Sequence, residues 1–187
     1  RLRSRPDARR PRLPRALVPR LAGIFALGAL QGALGWYMVA SGLVDVPRVS
    51  PYRLAAHLSL AAVIFGALFW TALDLLRPRP SLVPIPAGVR QLSTAVLILV
   101  LLTIVSGGLV AGTRAGFAFN TFPLMGGRVF PDGLYASRPV WPSLFEEIVT
   151  VQFNHRLLAA VLGMAVMLLW WHLTRPARPA ATRAAAH

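Results

Sequence analysis

The sequence contains no cysteine, no lysine and few acidic residues. The lack of cysteine excludes disulfides, zinc–thiolate sites, iron–sulfur clusters and cysteine nucleophiles. Charged residues make up 14% of the 187 residues, whereas a soluble domain of this length carries about a quarter. The sequence is 56% hydrophobic, with a mean hydropathy of +0.59, so the composition indicates a membrane protein.

Arginine supplies all twenty basic residues, against six acidic residues, which gives a formal net charge of +14. In a soluble protein this excess would suggest nucleic acid as a partner. Here the arginines lie mainly between long apolar runs, so membrane topology explains them. We therefore expect a lipid bilayer, and no nucleic acid, as a partner.

Four apolar stretches are long enough to cross a membrane, which takes about 20 helical residues. They are residues 21–43, 54–76, 92–112 and 148–173. None shows the ten-residue alternation of apolar and polar residues that is typical of a β-barrel strand. The sequence therefore predicts an all-α polytopic membrane protein with four transmembrane helices.

The arginines also predict the orientation of these helices. Eight arginines precede the first span, three lie in residues 77–90, and three follow the last span from Arg175 onwards. These regions share one side because the helices alternate in direction, and the positive-inside rule places that side in the cytoplasm. We expect a bacterial cytoplasmic (inner) membrane, with His57 and His155 near the outer ends of their helices.

An internal repeat relates the first two spans to the last two. Clusters of small residues occur near the outer ends of the ascending helices, QGALG at 31–35 and SGGLVAG at 106–112. The descending helices share the pattern H-x-x-L-A-A, at 57–62 and 155–160. Small residues allow close approach of helices, or leave room for a flat ligand. The pattern predicts two copies of a helix pair.

An ionisable residue within a span costs several kcal/mol, roughly, unless it is paired, liganded or hydrated. His57 and His155 therefore need partners. Each could be a neutral histidine bonded to a neighbouring carbonyl, or each could be an axial ligand of haem iron. Zinc fits less well, because neither histidine has another histidine or a carboxylate at i+3 or i+4. His172 lies beside two tryptophans at the opposite boundary and is interpreted as an interface residue.

Two arginines and the loop after the third span complete the candidate site. Arg53 and Arg156 could each pair with a haem propionate or anchor the helix at the interface. Residues 111–133 are rich in glycine and aromatic residues, and we expect them to lie on the membrane surface or to cover a site. Ser143 and Glu146 predict a capping box at a helix start.

Four motifs in the expected order resemble the haem A synthase family. These are QGALGWYMVASGL (31–43), YRLAAHLSLA (52–61), GGLVAGTRAGFAFNTFPLMGG (107–127) and QFNHRLLA (152–159). The resemblance implies an eight-helix protein made of two duplicated four-helix haem-binding bundles. One bundle holds the substrate haem O and the other holds a haem b cofactor, each between two histidines. The implied reaction oxidises a methyl group of haem O to the formyl group of haem A.

The resemblance also implies roles for individual residues. His57 would be a ligand of the substrate haem, and His155 would be the first ligand of the cofactor haem. Gln152 stands where the family's other half carries a catalytic glutamate, so no catalytic residue is assigned in this chain. Haem O synthase and terminal-oxidase assembly factors are implied partners, and the electron donor is left open.

The implied division places this chain in the middle of the eight-helix protein. The segments are a cytoplasmic N-terminal region (1–20), a helix pair on the substrate-haem side (21–76), a cytoplasmic linker (77–91), a helix pair on the cofactor-haem side (92–173) with its outer loop (113–147), and a cytoplasmic tail (174–187). Each haem site would then have one of its two axial ligands here. We expect a fragment, a piece of a split protein or a decayed relative, without activity on its own.

Two other functions are compatible with the residues. His57 and His155 could ligate a single haem in a non-catalytic b-type protein that transfers electrons. Alternatively, the chain could be a membrane scaffold in which both histidines are satisfied by hydrogen bonds. The motif FNTFPLMGG favours the synthase resemblance, because a simple b-type cytochrome does not need it.

Overall fold

The computed structural model describes residues 14–15, 17–40, 49–76 and 85–175. Within these ranges all regular elements are helical, which confirms the predicted all-α fold. A single 3₁₀ turn, Ala115–Phe117, follows the third helix. The α-helices are α1 (Leu17–Ala40), α2 (Pro51–Leu76), α3 (Ala87–Thr113), α4 (Ser143–Glu146) and α5 (Ile148–Thr174).

Four of these helices, α1, α2, α3 and α5, are long and apolar enough to cross a membrane. They coincide with the four predicted spans. The first three begin earlier than predicted, because the helical backbone continues beyond the apolar stretch through polar residues such as Arg20, Tyr52 and Arg90. The predicted end of the first span, at residue 43, lies outside the described residues. Most side chains of the four helices are exposed, as expected for surfaces that face lipid.

The four long helices pack in the order α1, α2, α3, α5. The helices α2 and α3 approach each other closely at two glycines of α3, and a Cβ on Gly108 would lie 2.6 Å from the Cα of Ala55. One turn further along α3, Gly112 lies against Pro51. Glycine at these positions lets the two backbones meet, as the small-residue clusters predict. The α2–α3 crossing therefore joins the two helix pairs.

The connection between α3 and α5 is folded onto the helices. Arg114 adopts a left-handed conformation (φ 59°) and ends α3. Met125 is 2% exposed, and its backbone pairs with Arg128. Phe117 and Phe122 are more than four-fifths exposed. Phe119 is half-buried, so the residues expected to cover a site or lie on the membrane include both buried and exposed side chains.

The capping box predicted for the short helix α4 is wrong. Pro142 occupies the N-cap, and no side-chain hydrogen bond caps the helix. Ser143 is the first residue of the helix, and its side chain is fully buried. Glu146 instead accepts a hydrogen bond from the hydroxyl of Tyr52, at 2.6 Å. Proline at 142 removes a backbone donor and favours helix initiation, which moves the start of the helix by one residue.

Candidate functional site

His155 lies near the start of α5 and packs against α3. A Cβ on Gly107 would lie 3.3 Å from its Cε1 atom, so glycine makes room for the imidazole. The Nδ1 atom of His155 lies 2.8 Å from Ser106 Oγ. Ser106 has one hydroxyl proton and donates it to the Thr103 carbonyl at 2.9 Å, so Oγ accepts from Nδ1–H. The lone pair is then on Nε2, which no other described residue hydrogen-bonds.

His57 occupies a similar place between α2 and α1. A Cβ on Gly35 would lie 3.1 Å from its Cε1 atom. The amide nitrogen of Gln31 lies 3.1 Å from His57 Nε2 and 3.1 Å from the His57 carbonyl oxygen. Because a carbonyl only accepts, this nitrogen is a donor, and it can donate to Nε2 as well. The other ring nitrogen, Nδ1, is buried and has no hydrogen-bond partner among the described residues.

The two histidines lie at similar depth but in separate helix pairs. Ala55, two residues before His57, contacts Gly108, and the adjacent Gly107 contacts His155. Each imidazole nevertheless packs against a glycine of its own partner helix, α1 for His57 and α3 for His155. The structure therefore presents two candidate sites and does not bring the two histidines together into one.

Arg156, next to His155, binds the loop that follows α3. Its guanidinium donates to the carbonyl of Phe119 at 2.7 Å and to that of Thr121 at 2.7 Å. Gln152, one turn earlier on α5, also donates to the Phe119 carbonyl, at 2.9 Å. These bonds hold the loop over the N-terminal end of α5. Arg156 has no carboxylate partner among the residues that the structure describes, so its charge is left unneutralised.

Further contacts fix the remainder of the loop on α5. The Tyr135 hydroxyl donates to Asn154 Oδ1 at 2.7 Å, and the Tyr135 amide donates to Thr150 Oγ1 at 3.0 Å. Thr150 in turn donates to Glu147 Oε2 at 2.6 Å. The first three turns of α5 therefore serve as a platform for the loop as well as carrying His155.

Arg53 lies four residues before His57 on α2. Its guanidinium sits over the ring of Tyr37 on α1, 4.7 Å from the ring centroid. This cation–π contact ties the C-terminal end of α1 to the N-terminal end of α2. It agrees with interfacial anchoring, and a propionate role for Arg53 stays a prediction.

A mostly apolar cavity of about 750 Å³ lies beside the α2–α3 crossing. Its walls come from α2, α3 and the segment around α4: Tyr52, Ala55, Ala56, Ser59, Val105, Leu109, Trp141, Phe145 and Glu146. Neither candidate ligand lines it, so this cavity is separate from the histidine sites.

The sequence did not predict the roles of three polar residues. Gln31 and Ser106 contact the histidines, and Gln152 binds the loop. The first two were considered only as parts of clusters of small residues. The available signal was an amide or hydroxyl group in a largely apolar span, since such groups seek partners in the membrane. Among the described residues, no group of three or more histidine, aspartate or glutamate side chains could hold a bare metal ion.

Comparison with known proteins gives these sites a family. A family model described as cytochrome oxidase assembly protein matches residues 7–187. A Heme A synthase from Parvibaculum lavamentivorans is 52% identical over 160 residues, which cover 86% of this chain and 46% of the relative. The chain belongs to the haem A synthase family.

Other members of the haem A synthase family match over similar lengths. The Heme A synthase of Paramagnetospirillum magneticum is 49% identical over 180 residues, 94% of this chain and 50% of the relative. Heme A synthase COX15 of Arabidopsis thaliana is 46% identical over 162 residues, 81% of this chain and 35% of the relative. The chain thus spans about half the length of the bacterial relatives it matches, or less. No solved structure matches it.

Proposed function

We propose that the protein acts in haem A biosynthesis, as an integral membrane oxidoreductase that oxidises a methyl group of haem O to a formyl group. Relatives named Heme A synthase, about half identical to this chain, support this reaction. The observation that carries the proposal is the pair of glycine–histidine contacts, Gly35 with His57 and Gly107 with His155. The matched placement of one imidazole in each helix pair supports one haem site in each pair.

The residues around His155 fit a haem iron ligand. The Ser106 hydroxyl accepts from Nδ1–H and so keeps the lone pair on Nε2. A second hydrogen bond of this kind usually fixes the tautomer and orientation of a metal-binding histidine. When bound, haem would supply the redox chemistry that oxidation of a methyl group needs and that side chains lack.

We assign His57 to the substrate haem O and His155 to a haem b cofactor. The two helix pairs then belong to the substrate half and the cofactor half of a longer protein. Arg156 is cationic and lies beside His155, which supports a role in binding a haem propionate. Its bonds to the loop carbonyls would place that charge at a fixed position. Arg53 is proposed for the corresponding role near His57.

A non-catalytic b-type protein with one haem between His57 and His155 is not favoured. It would require the two imidazoles to face each other across the iron. Instead, His57 contacts Gln31 and Gly35 of α1, whereas His155 contacts α3.

The proposed location is the bacterial cytoplasmic (inner) membrane, with the arginine-rich ends of the helices in the cytoplasm. The positive-inside rule supports this orientation. Haem O synthase and terminal-oxidase assembly factors are proposed partners, since they would supply the substrate and use the product.

The test is haem extraction followed by chromatography, on protein purified from a host that makes haem O. We expect haem B together with haem O or haem A in the wild type. His57→Ala should selectively lower haem O and haem A, and His155→Ala should selectively lower haem B. His172→Ala is the matched control, because this histidine lies at the other end of α5 and bonds the Leu168 carbonyl. Wild-type protein without haem, or unchanged haem in both variants, would overturn the proposal.

A further inference from the structure

The two candidate ligands differ in which ring nitrogen their neighbour contacts. Ser106 binds Nδ1 of His155 and leaves Nε2 open. Gln31 binds Nε2 of His57, at 3.1 Å. The orientation of the Gln31 amide is set by its bond to the His57 carbonyl, which only a nitrogen donor can make. In one site the Nε2 lone pair is free, and in the other it already accepts a hydrogen bond.

Iron can reach His57 through only one of its nitrogens. Nδ1 is buried and inaccessible, so ligation has to occur at Nε2. A nitrogen lone pair cannot bind iron and accept from an amide N–H at the same time. The amide of Gln31 must therefore leave Nε2 whenever iron binds there.

We propose that Gln31 is a positioning residue that competes with haem iron for Nε2 of His57 and makes the haem bound there exchangeable. The inference rests on the proposed function, in which His57 holds a substrate that must enter and leave in every cycle. Ser106 has the opposite effect, because it prepares His155 for a haem that stays bound. The duplicated helix pairs thus differ in the residence time of their ligand.

The size of the effect follows from the strength of one hydrogen bond. A neutral hydrogen bond contributes a modest net free energy, equivalent to roughly a two- to tenfold change in an equilibrium constant. Gln31 takes over Nε2 as the iron leaves, so the hydrogen bond that it forms lowers the barrier to release. Removing the competing amide should therefore slow release of haem from His57 by up to about tenfold. A purely structural role for Gln31 predicts a change of the haem release rate in the opposite direction. If Gln31 served only to hold α1 against α2, its loss would loosen the site and speed release.

The experiment measures the rate at which the 187-residue protein in detergent, reconstituted with haemin, gives up haem to excess apomyoglobin. His57→Ala and His155→Ala identify which kinetic phase belongs to which site. Gln31→Leu keeps a similar volume without a donor and should slow the His57 phase alone. Ser106→Ala is the matched variant and should speed the His155 phase alone. Gln31→Ala provides a second test if the leucine variant does not fold.

The two proposals fail in different ways. If His57→Ala and His155→Ala leave both phases unchanged, the histidines are not ligands and the proposed function is wrong. If His57→Ala abolishes one phase while Gln31→Leu leaves it unchanged or faster, the competition proposed for Gln31 is wrong and the ligand assignment stands. A slower His57 phase in Gln31→Leu, with the His155 phase unchanged, supports the competition.

Discussion

Replacing Gly108 with alanine tests the packing of α2 against α3. The new Cβ would lie 2.6 Å from the Cα of Ala55 and 3.0 Å from its Cβ. Carbon atoms in favourable contact are about 3.5–4.0 Å apart, so the helices would have to separate by about 1 Å. The obstructing atom belongs to the backbone and cannot rotate away. Overpacking of this kind typically costs about 1–3 kcal/mol.

Gly66→Ala is the matched control for this prediction. Gly66 lies in α2, and a Cβ there would meet nothing within 4 Å. Both variants make the same change in helix propensity, so the difference between them isolates the packing cost. For a protein of this size about 1 kcal/mol shifts the melting temperature by roughly 2–4 °C. We expect Gly108→Ala to melt below Gly66→Ala by roughly 2–12 °C in detergent.

A second position on the same face strengthens the test. Gly112 contacts the backbone of Pro51, so Gly112→Ala should also lower the melting temperature. If Gly108→Ala and Gly112→Ala both melted at or above the temperature of Gly66→Ala, the close crossing of α2 and α3 would be refuted.

Two further predictions concern the loop between α3 and α5. Arg156→Gln should increase hydrogen exchange in residues 119–124, because bonds from a charged donor contribute about 1.5–3 kcal/mol; Arg90→Gln, at the other end of α3, should not. Equal hydrogen exchange in both variants would contradict the role of Arg156 in holding the loop. Tyr52→Phe removes the bond to Glu146 and should lower the free energy of unfolding by about 0.5–1.5 kcal/mol. A double-mutant cycle with Glu146→Gln should show coupling, and purely additive effects would contradict the contact.

The sequence was sufficient to predict the number and nature of the membrane spans. A span is defined by the length of an apolar run, and a charge inside it is costly, so 54–76 and 92–112 could be recognised from composition alone. The repeat of HLSLAA and HRLLAA similarly predicted two histidines in equivalent helices. The structure confirms the four helices and places each histidine against a glycine of the preceding small-residue cluster.

The hydrogen-bond partners of the histidines could not be predicted in the same way. Gln31 and Ser106 lie 26 and 49 residues from the ring that each contacts, and their rotational position on the helix decides whether they reach it. The clusters QGALG and SGGLVAG contain one polar residue each, but the sequence does not say which nitrogen it meets. That distinction depends on packing between helices, and it is what separates the two sites chemically.

The α2–α3 crossing links these local differences to the arrangement of the two sites. Gly108 contacts Ala55, which lies two residues before His57, and Gly108 follows directly the glycine that contacts His155. A shift of one helix along the other would therefore change the relative depth of the two imidazoles. Because the contact is between backbones, with no flexible side chain between them, the register has little freedom to vary. The glycines of α3 thus have two roles: Gly107 makes room for one candidate ligand, and Gly108 sets its depth relative to the other.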